Sequence, residues 1–180
     1  MTEVLRETEV LVVGGGPAGL AAAIAARAKG FRVVVADCSR PPIDKPCGEG
    51  LMPDALAALR QLGIELSAKN SFPFRGIRLV DSGVSVGASF PPGCGLGVRR
   101  TVLHQLMIDR AAQACVDFIW GSRVTGLYGE GARSIAILCG RAGSSGRDGQ
   151  NSRIRRWAGL DDYPSESRRF GFRRHYCVAP

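Results

Sequence analysis

Glu9-Val10-Leu11-Val12-Val13-Gly14-Gly15-Gly16-Pro17-Ala18-Gly19-Leu20, an alanine-rich run to Lys29-Gly30, and then Phe31-Arg32-Val33-Val34-Val35-Ala36-Asp37 read as strand, glycine turn, helix and second strand in one unit. Val10 to Val13 form a short apolar run that stops at a glycine cluster, the pattern of a parallel strand buried on both faces. Gly14 suits the tight turn. Gly16 allows backbone to approach a pyrophosphate with no Cβ in the way, and Gly19 allows the helix to pack closely on the strand. A helix from Pro17 to Lys29 then aims its N-terminal N–H groups and positive dipole end at phosphate. Pro17 fits the first turn, where its missing N–H would have had no partner. The second strand delivers Asp37, twenty-three residues after Gly14, where an acid can bond the ribose hydroxyls of an adenosine. A glycine-rich turn in an ordinary α/β domain would supply some of these features. It would not supply strand, glycines, helix, strand and acid in register, so the unit is read as a dinucleotide site.

Outside this unit the composition is that of a globular protein. The chain has 180 residues, 45% hydrophobic and 22% charged, enough for one domain that buries about 70% of its unfolded surface. No apolar run approaches the ~18 residues that would suggest a membrane span. The acidic start, Met1-Thr2-Glu3-Val4-Leu5-Arg6-Glu7, does not have the character of a signal peptide, so a cytoplasmic location is expected. The six cysteines are widely separated, with no C-x-x-C and no nearby His pair, so free thiols and no metal site are expected.

The net charge of +8 is uneven. Residues 141 to 180 hold nine basic and four acidic side chains. In Arg168-Arg169-Phe170-Gly171-Phe172-Arg173-Arg174-His175-Tyr176 the alternation is that of an edge strand with a solvated face. Charge alone is poor evidence for a specific partner, so no nucleic acid is expected. A small-molecule substrate is.

Further along, Cys38 to Pro53 is rich in proline and glycine and reads as a long loop with no regular element. Pro53 to Leu62 reads as a helix with Leu56, Leu59 and Leu62 on one face, closed by Gly63. Phe74 to Leu79 and Val84 to Phe90 read as a strand pair turned at Asp81-Ser82-Gly83. From Thr101 to Ala114, Val102, Leu103, Leu106, Met107 and Ala111 fall at helical spacing, which leaves His104 on the polar flank. Val116 to Trp120, Arg123 to Tyr128 and Ser134 to Cys139 are expected strands, and Arg153 to Ala158 a short basic helix. Gly140 to Arg147 resembles linker sequence.

Four blocks carry a family resemblance: Gly14-Gly15-Gly16-Pro17-Ala18-Gly19 with Asp37; Lys45-Pro46-Cys47-Gly48-Glu49-Gly50-Leu51; Arg100-x-x-Leu103-x-x-x-Met107; and Asp148-Gly149-x-Asn151-Ser152-x-x-Arg155. Together they resemble the para-hydroxybenzoate-hydroxylase-like FAD-dependent oxidoreductases, which include monooxygenases, geranylgeranyl reductases and flavin-dependent halogenases. The resemblance implies an α/β fold: a Rossmann-type FAD-binding domain with a parallel sheet and a small antiparallel β insertion, corresponding to about the first half of a family member. It places the FAD-binding domain at residues 1–160, with the linker-like stretch at 140–147, and the start of a substrate domain at 161–180.

Carried over by position, the resemblance implies that Gly14, Gly16 and Gly19 face the FAD pyrophosphate, that Asp37 binds the ribose, and that Arg100 lies beside the phosphates or ribityl chain. It puts the Val124 backbone against adenine and has Asp148 contribute to flavin and nicotinamide handling. Simpler readings stay open: Arg100 as a helix-start arginine in a surface ion pair, Val124 as an ordinary strand valine, Asp148 as part of an Asp-Gly turn. Gly146-Arg147-Asp148-Gly149 also departs from the usual Gly-Ala-Asp-Gly. The loop from Lys45 to Leu51 would lie near the flavin ring, with Cys47 and Glu49 its candidate chemical groups, although Cys47 also fits a small buried residue. The expected activity is that of a flavin-dependent oxidoreductase of monooxygenase type using NAD(P)H as co-substrate. An inactive FAD-binding fragment and an NAD(P)-dependent dehydrogenase domain are the alternatives.

Overall fold

The computed structural model describes residues 7–45, 47, 49–91, 93–128, 135–139, 156, 157 and 159. Its described residues divide into two units. One is built from residues up to Ile43 and from Met107 onward, the other from Asp44–Leu106.

The first unit begins with β1 (Val10–Val13), α1 (Pro17–Ala28) and β2 (Val33–Asp37). β1 and β2 are parallel, with Val10 opposite Val33 and Val13 opposite Ala36. In β2 every residue is buried, as a valine-rich strand between two neighbours should be. β1 differs from expectation: Val10 to Val13 are half-buried, because among the described residues β1 is the edge of its three-stranded sheet. Leu20, Ala23 and Ile24 are the buried residues of α1, one stripe at helical spacing. Arg27 ties off the helix end, its guanidinium donating to the carbonyls of Ala114 and Phe31 at 2.8 and 2.7 Å.

In the second unit, β3 (Gly50–Leu51) leads into α2 (Pro53–Gln61), β4 (Phe72–Phe74), β5 (Gly76–Asp81), β6 (Val84–Ser89) and β7 (Gly95–Gly97). The segment read as a structureless loop thus ends in a short strand. β7 was not expected at all, yet it is the middle strand of a sheet ordered β3-β7-β4. It is antiparallel to both neighbours. A side-chain carbon on Gly95 would overlap the Phe74 ring and come within 2.7 Å of the Leu51 carbonyl oxygen. Glycine here is what lets three backbones meet. β5 and β6 form the expected antiparallel hairpin through Asp81-Ser82-Gly83. Its register puts Ile77, Leu79, Val84, Val86 and Ala88 on one face.

Helix α3 (Arg100–Gln113) starts in the second unit and ends in the first. Its buried residues are Leu103, His104, Met107 and Ala111. His104 therefore corrects the sequence reading: it is fully buried, with no exposed surface, because at about 100° per residue it sits beside Leu103 and one turn from Met107. The chain returns to the first unit with β8 (Asp117–Trp120), β9 (Arg123–Tyr128) and β10 (Ile135–Cys139). β8 is parallel to β2, Asp37 lying opposite Trp120. β9 and β10 pair antiparallel, with a register shift at Ile137/Leu138. Among the described residues, no helix is long and apolar enough to cross a membrane. The boundary expected between residues 160 and 161, and the linker expected at 140–147, lie outside the described residues.

Candidate functional site

At the C-terminal ends of β1 and β2 the chain makes a notch lined by Val13, Gly14, Ala36, Asp37, Cys38, Ser122, Arg123 and Val124. Such positions outside the carboxyl ends of parallel strands are where open α/β sheets take ligands. Gly14 has φ +109°, a conformation that L side chains rarely adopt, and the space a Cβ would fill is open to 4 Å. Its N–H donates to the Ala36 carbonyl at 2.8 Å, which continues the strand ladder into the turn.

Gly16 caps α1 with an extended backbone, φ −75° and ψ 177°, and no side chain bonds the first turn. Pro17 follows, and the first turn holds no acid. The first turn's N–H groups have no acceptor within a helix, and neither a capping side chain nor a carboxylate competes for them. Such a helix end favours an anion. Gly19 packs the helix closely on the strand: a carbon added there would overlap the carbonyl oxygen of Gly14 and crowd Val12. Its direct role is contact between helix and turn.

Asp37 is 8% exposed. One carboxylate oxygen accepts the Gly15 N–H at 2.7 Å and the other accepts the Ser39 N–H at 2.7 Å. The Asp37 carbonyl accepts from Ser122 N–H at 3.1 Å, and the Ser39 carbonyl from Gly121 N–H at 3.3 Å, so the end of β2 is strapped to the turn that opens β9. Val124 is buried, in that same strand. Trp120 closes the back of the turn: a carbon on Gly15 would run into its ring, which stacks on Phe118 at 5.1 Å and 11°. Neither Gly15 nor Trp120 was picked out from sequence, because their meeting depends on the β2–β8 register.

The other candidates lie in the second unit. Glu49 has φ +54°. Its carbonyl accepts the Val98 N–H at 2.8 Å and its carboxylate accepts the Arg100 N–H at 2.7 Å, so it holds the entry to α3. Arg100 is half-buried. Its Nε is buried with no hydrogen-bond partner among the described residues. Cys47 is an exposed free thiol, not the buried small residue that was one reading of it. Cys38, Cys94 and Cys115 likewise form no disulfide. A cleft of about 930 Å³ opens beside Glu49, lined on its apolar side by Met52, Phe72, Phe74, Val98 and Val102 and on its polar side by Lys69, Asn70, Ser71 and Arg99. Among the described residues, no group of three His, Cys, Asp or Glu side chains is arranged to hold a metal ion. Asp148 lies outside the described residues.

The structure thus brings Gly14, Asp37 and Val124 together at the notch of the first unit, with Gly16 at the α1 N-cap, and Glu49 and Arg100 together in the second. Comparison with known proteins gives the family. A family model described as "FAD binding domain" matches residues 7–174. A menaquinone reductase of Mycobacterium tuberculosis is 34% identical over 134 residues, which cover 72% of this chain and 33% of that protein. A 3-(3-hydroxy-phenyl)propionate/3-hydroxycinnamic acid hydroxylase of Mycobacterium avium is 32% identical over 182 residues, covering 96% of this chain and 29% of that one. Among solved structures, a flavoprotein/dehydrogenase from Cytophaga hutchinsonii superposes with a TM-score of 0.65 at 26% identity, over 74% of this chain and 35% of that chain. The chain spans about a third of the length of the curated relatives it matches.

Proposed function

The chain belongs to the FAD binding domain family, and we propose from that premise that it binds FAD in the notch at the end of β1 and β2, as the dinucleotide-binding part of a flavin-dependent oxidoreductase of monooxygenase type. The observation that carries this reading is the α1 N-terminus. It has no side-chain cap and no acid in its first turn, and it stands behind a glycine whose Cβ position is open space. That end favours a pyrophosphate on charge, and Gly14 presents no side chain to it.

In this reading Gly14 and Gly16 face the pyrophosphate, Gly19 keeps the helix against the turn, Asp37 meets the ribose hydroxyls, and the Val124 backbone borders adenine. Arg100 is proposed, on the family resemblance alone, to meet the phosphate or ribityl part of the cofactor. Asp148 is proposed as a further contact. Bound flavin would supply the redox chemistry, with hydride from NAD(P)H in the complete enzyme, and the protein would supply binding and orientation. The substrate is proposed to be a small organic molecule, as the names of the reductase and hydroxylase relatives suggest. Cys47 and Glu49 are not needed as redox groups in this scheme.

Titration of the purified chain with FAD and with NAD, followed by flavin fluorescence and calorimetry, tests the reading. Saturable FAD binding that exceeds NAD binding is expected. Tight NAD binding with no flavin uptake would replace it with a nicotinamide-dependent dehydrogenase domain.

A further inference from the structure

Asp37 is usually thought of, in a strand–glycine–helix unit, as an acceptor for a sugar. Here its carboxylate is already occupied by the protein: Gly15 N–H on one oxygen and Ser39 N–H on the other, both at 2.7 Å, with 8% of the residue exposed. A carboxylate receiving two backbone N–H groups is a strong local restraint, since charged acceptors roughly double the strength of such bonds. The Trp120 ring also stands against Gly15, close enough that any side chain there would collide. Trp120 is held in turn by stacking on Phe118 and by its place opposite Asp37 in the β2–β8 pair. Gly15 is the middle residue of the turn and adjoins Gly14, whose Cβ position is open space.

We propose that Asp37 and Trp120 are positioning residues that together hold Gly15 in place and so preform the phosphate-binding turn before any ligand arrives. The inference rests on the reading of the notch as a dinucleotide site. It goes beyond that reading in assigning Asp37 a second role, one that does not pass through the sugar, and in assigning Trp120 a role at all. A turn fixed in its binding shape loses less conformational freedom on association, so the clamp acts on affinity for the phosphates themselves.

The two roles of Asp37 separate when the ligand lacks the hydroxyls. ADP and 2′,3′-dideoxy-ADP are the probes, titrated calorimetrically into the full chain, with circular dichroism to verify folding of each variant. Asp37→Asn keeps the size of the side chain but replaces one acceptor oxygen with a donor, which then confronts a backbone N–H. Dideoxy-ADP affinity is expected to fall about ten-fold in this variant, the scale of a charge-assisted bond. Trp120→Ala should weaken both ligands by similar factors, and Trp120→Phe should recover most of the loss.

Unchanged dideoxy-ADP affinity in Asp37→Asn, with ADP weakened, would overturn the clamp and leave Asp37 as a ribose acceptor only; the FAD reading would survive. Wild-type protein that binds neither probe would overturn that reading and the clamp with it. Should Asp37→Asn not fold, Asp37→Glu serves instead, since its extra methylene moves the carboxylate off the Gly15 N–H while leaving it able to reach a sugar. Loss of dideoxy-ADP binding in that variant supports the clamp, and retention overturns it.

Discussion

The carboxylate of Glu49 accepts the backbone N–H of Arg100 at 2.7 Å, across fifty-one residues of sequence. The bond satisfies a donor at the start of α3 and puts a negative charge at the positive end of the helix. Glu49 does this from a left-handed backbone, φ +54°, which costs a non-glycine residue roughly 1–2 kcal/mol.

Those two terms oppose each other, and three substitutions separate them. Glu49→Ala loses the bond and keeps the strain, so it should lower stability by about 1 kcal/mol, as loss of a cap does. Glu49→Gly loses the bond but relieves the strain, so its stability should lie above that of Glu49→Ala. Glu49→Gln keeps an acceptor without the charge and should fall between wild type and alanine. Urea unfolding monitored by circular dichroism gives the order, and an alanine variant as stable as the glycine variant would show that the backbone strain is not felt.

Gly16 and Gly19, only three residues apart, should respond to alanine in opposite ways. Gly16 has φ −75° and ψ 177°, which alanine adopts without strain. In the proposed site the added methyl would obstruct the pyrophosphate, so Gly16→Ala should melt close to wild type while FAD affinity drops about ten-fold or more, the scale of one lost charge-assisted contact. At Gly19 the methyl would overlap the Gly14 carbonyl oxygen and sit 3.2 Å from Val12 Cγ1. Backbone cannot step aside as a side chain can, so a loss of about 1–3 kcal/mol is expected. Thermal melts and flavin titration of both variants make the comparison; a Gly19→Ala protein with unchanged melting would mean the helix can lift off the turn at little cost.

What could be read in the sequence was what repeats along one element. The Val33 to Ala36 run and the Leu103, Met107 and Ala111 spacing declare their strand and helix because each residue's environment follows from its neighbours' period. The contacts that close the site were not legible. Gly15 meets Trp120, and Glu49 meets Arg100, through pairings set by sheet register and chain return, which leave no local signal. β7 was missed for a different reason: Gly95-Leu96-Gly97 offers one side chain and no alternation, and its place in the middle of a sheet depends on the lack of bulk. His104 was misplaced by judging polarity before geometry. Asp37 was legible as a candidate, but its two backbone partners were not.

Gly95 gives that point a test. It is buried, and a methyl there would overlap the Phe74 ring and approach the Leu51 carbonyl oxygen to 2.7 Å. Gly95→Ala should destabilise by about 1–3 kcal/mol through overpacking. Trimming the ring with Phe74→Ala should not restore the double variant to the level of Phe74→Ala alone, since the carbonyl contact is backbone and remains. Full restoration in the double variant would assign the whole clash to the ring.

Glu9 and Arg32 provide a prediction about charge. Glu9 accepts the Arg32 backbone N–H at 2.8 Å, and the Arg32 guanidinium stands 3.5 Å from the same oxygen. The Glu9 carboxyl is held below its ordinary value of 4.5, first by the backbone hydrogen bond and only then by the guanidinium charge. A carboxyl depressed in the folded state contributes stability above its unfolded titration range, and that contribution is lost as pH falls through the folded value. Because the pair is exposed, its charge component is open to screening by salt, whereas the backbone bond is not. Arg32→Ala keeps the N–H and removes the guanidinium, with its charge and its side-chain hydrogen bond. An NMR titration of the Glu9 side-chain carboxyl should therefore still give a midpoint below the ordinary value in that variant, nearer to it than in wild type, and little changed by 0.5 M salt, roughly a Debye length of a few ångströms. Return to the ordinary value in Arg32→Ala would make the guanidinium, not the backbone bond, the main cause.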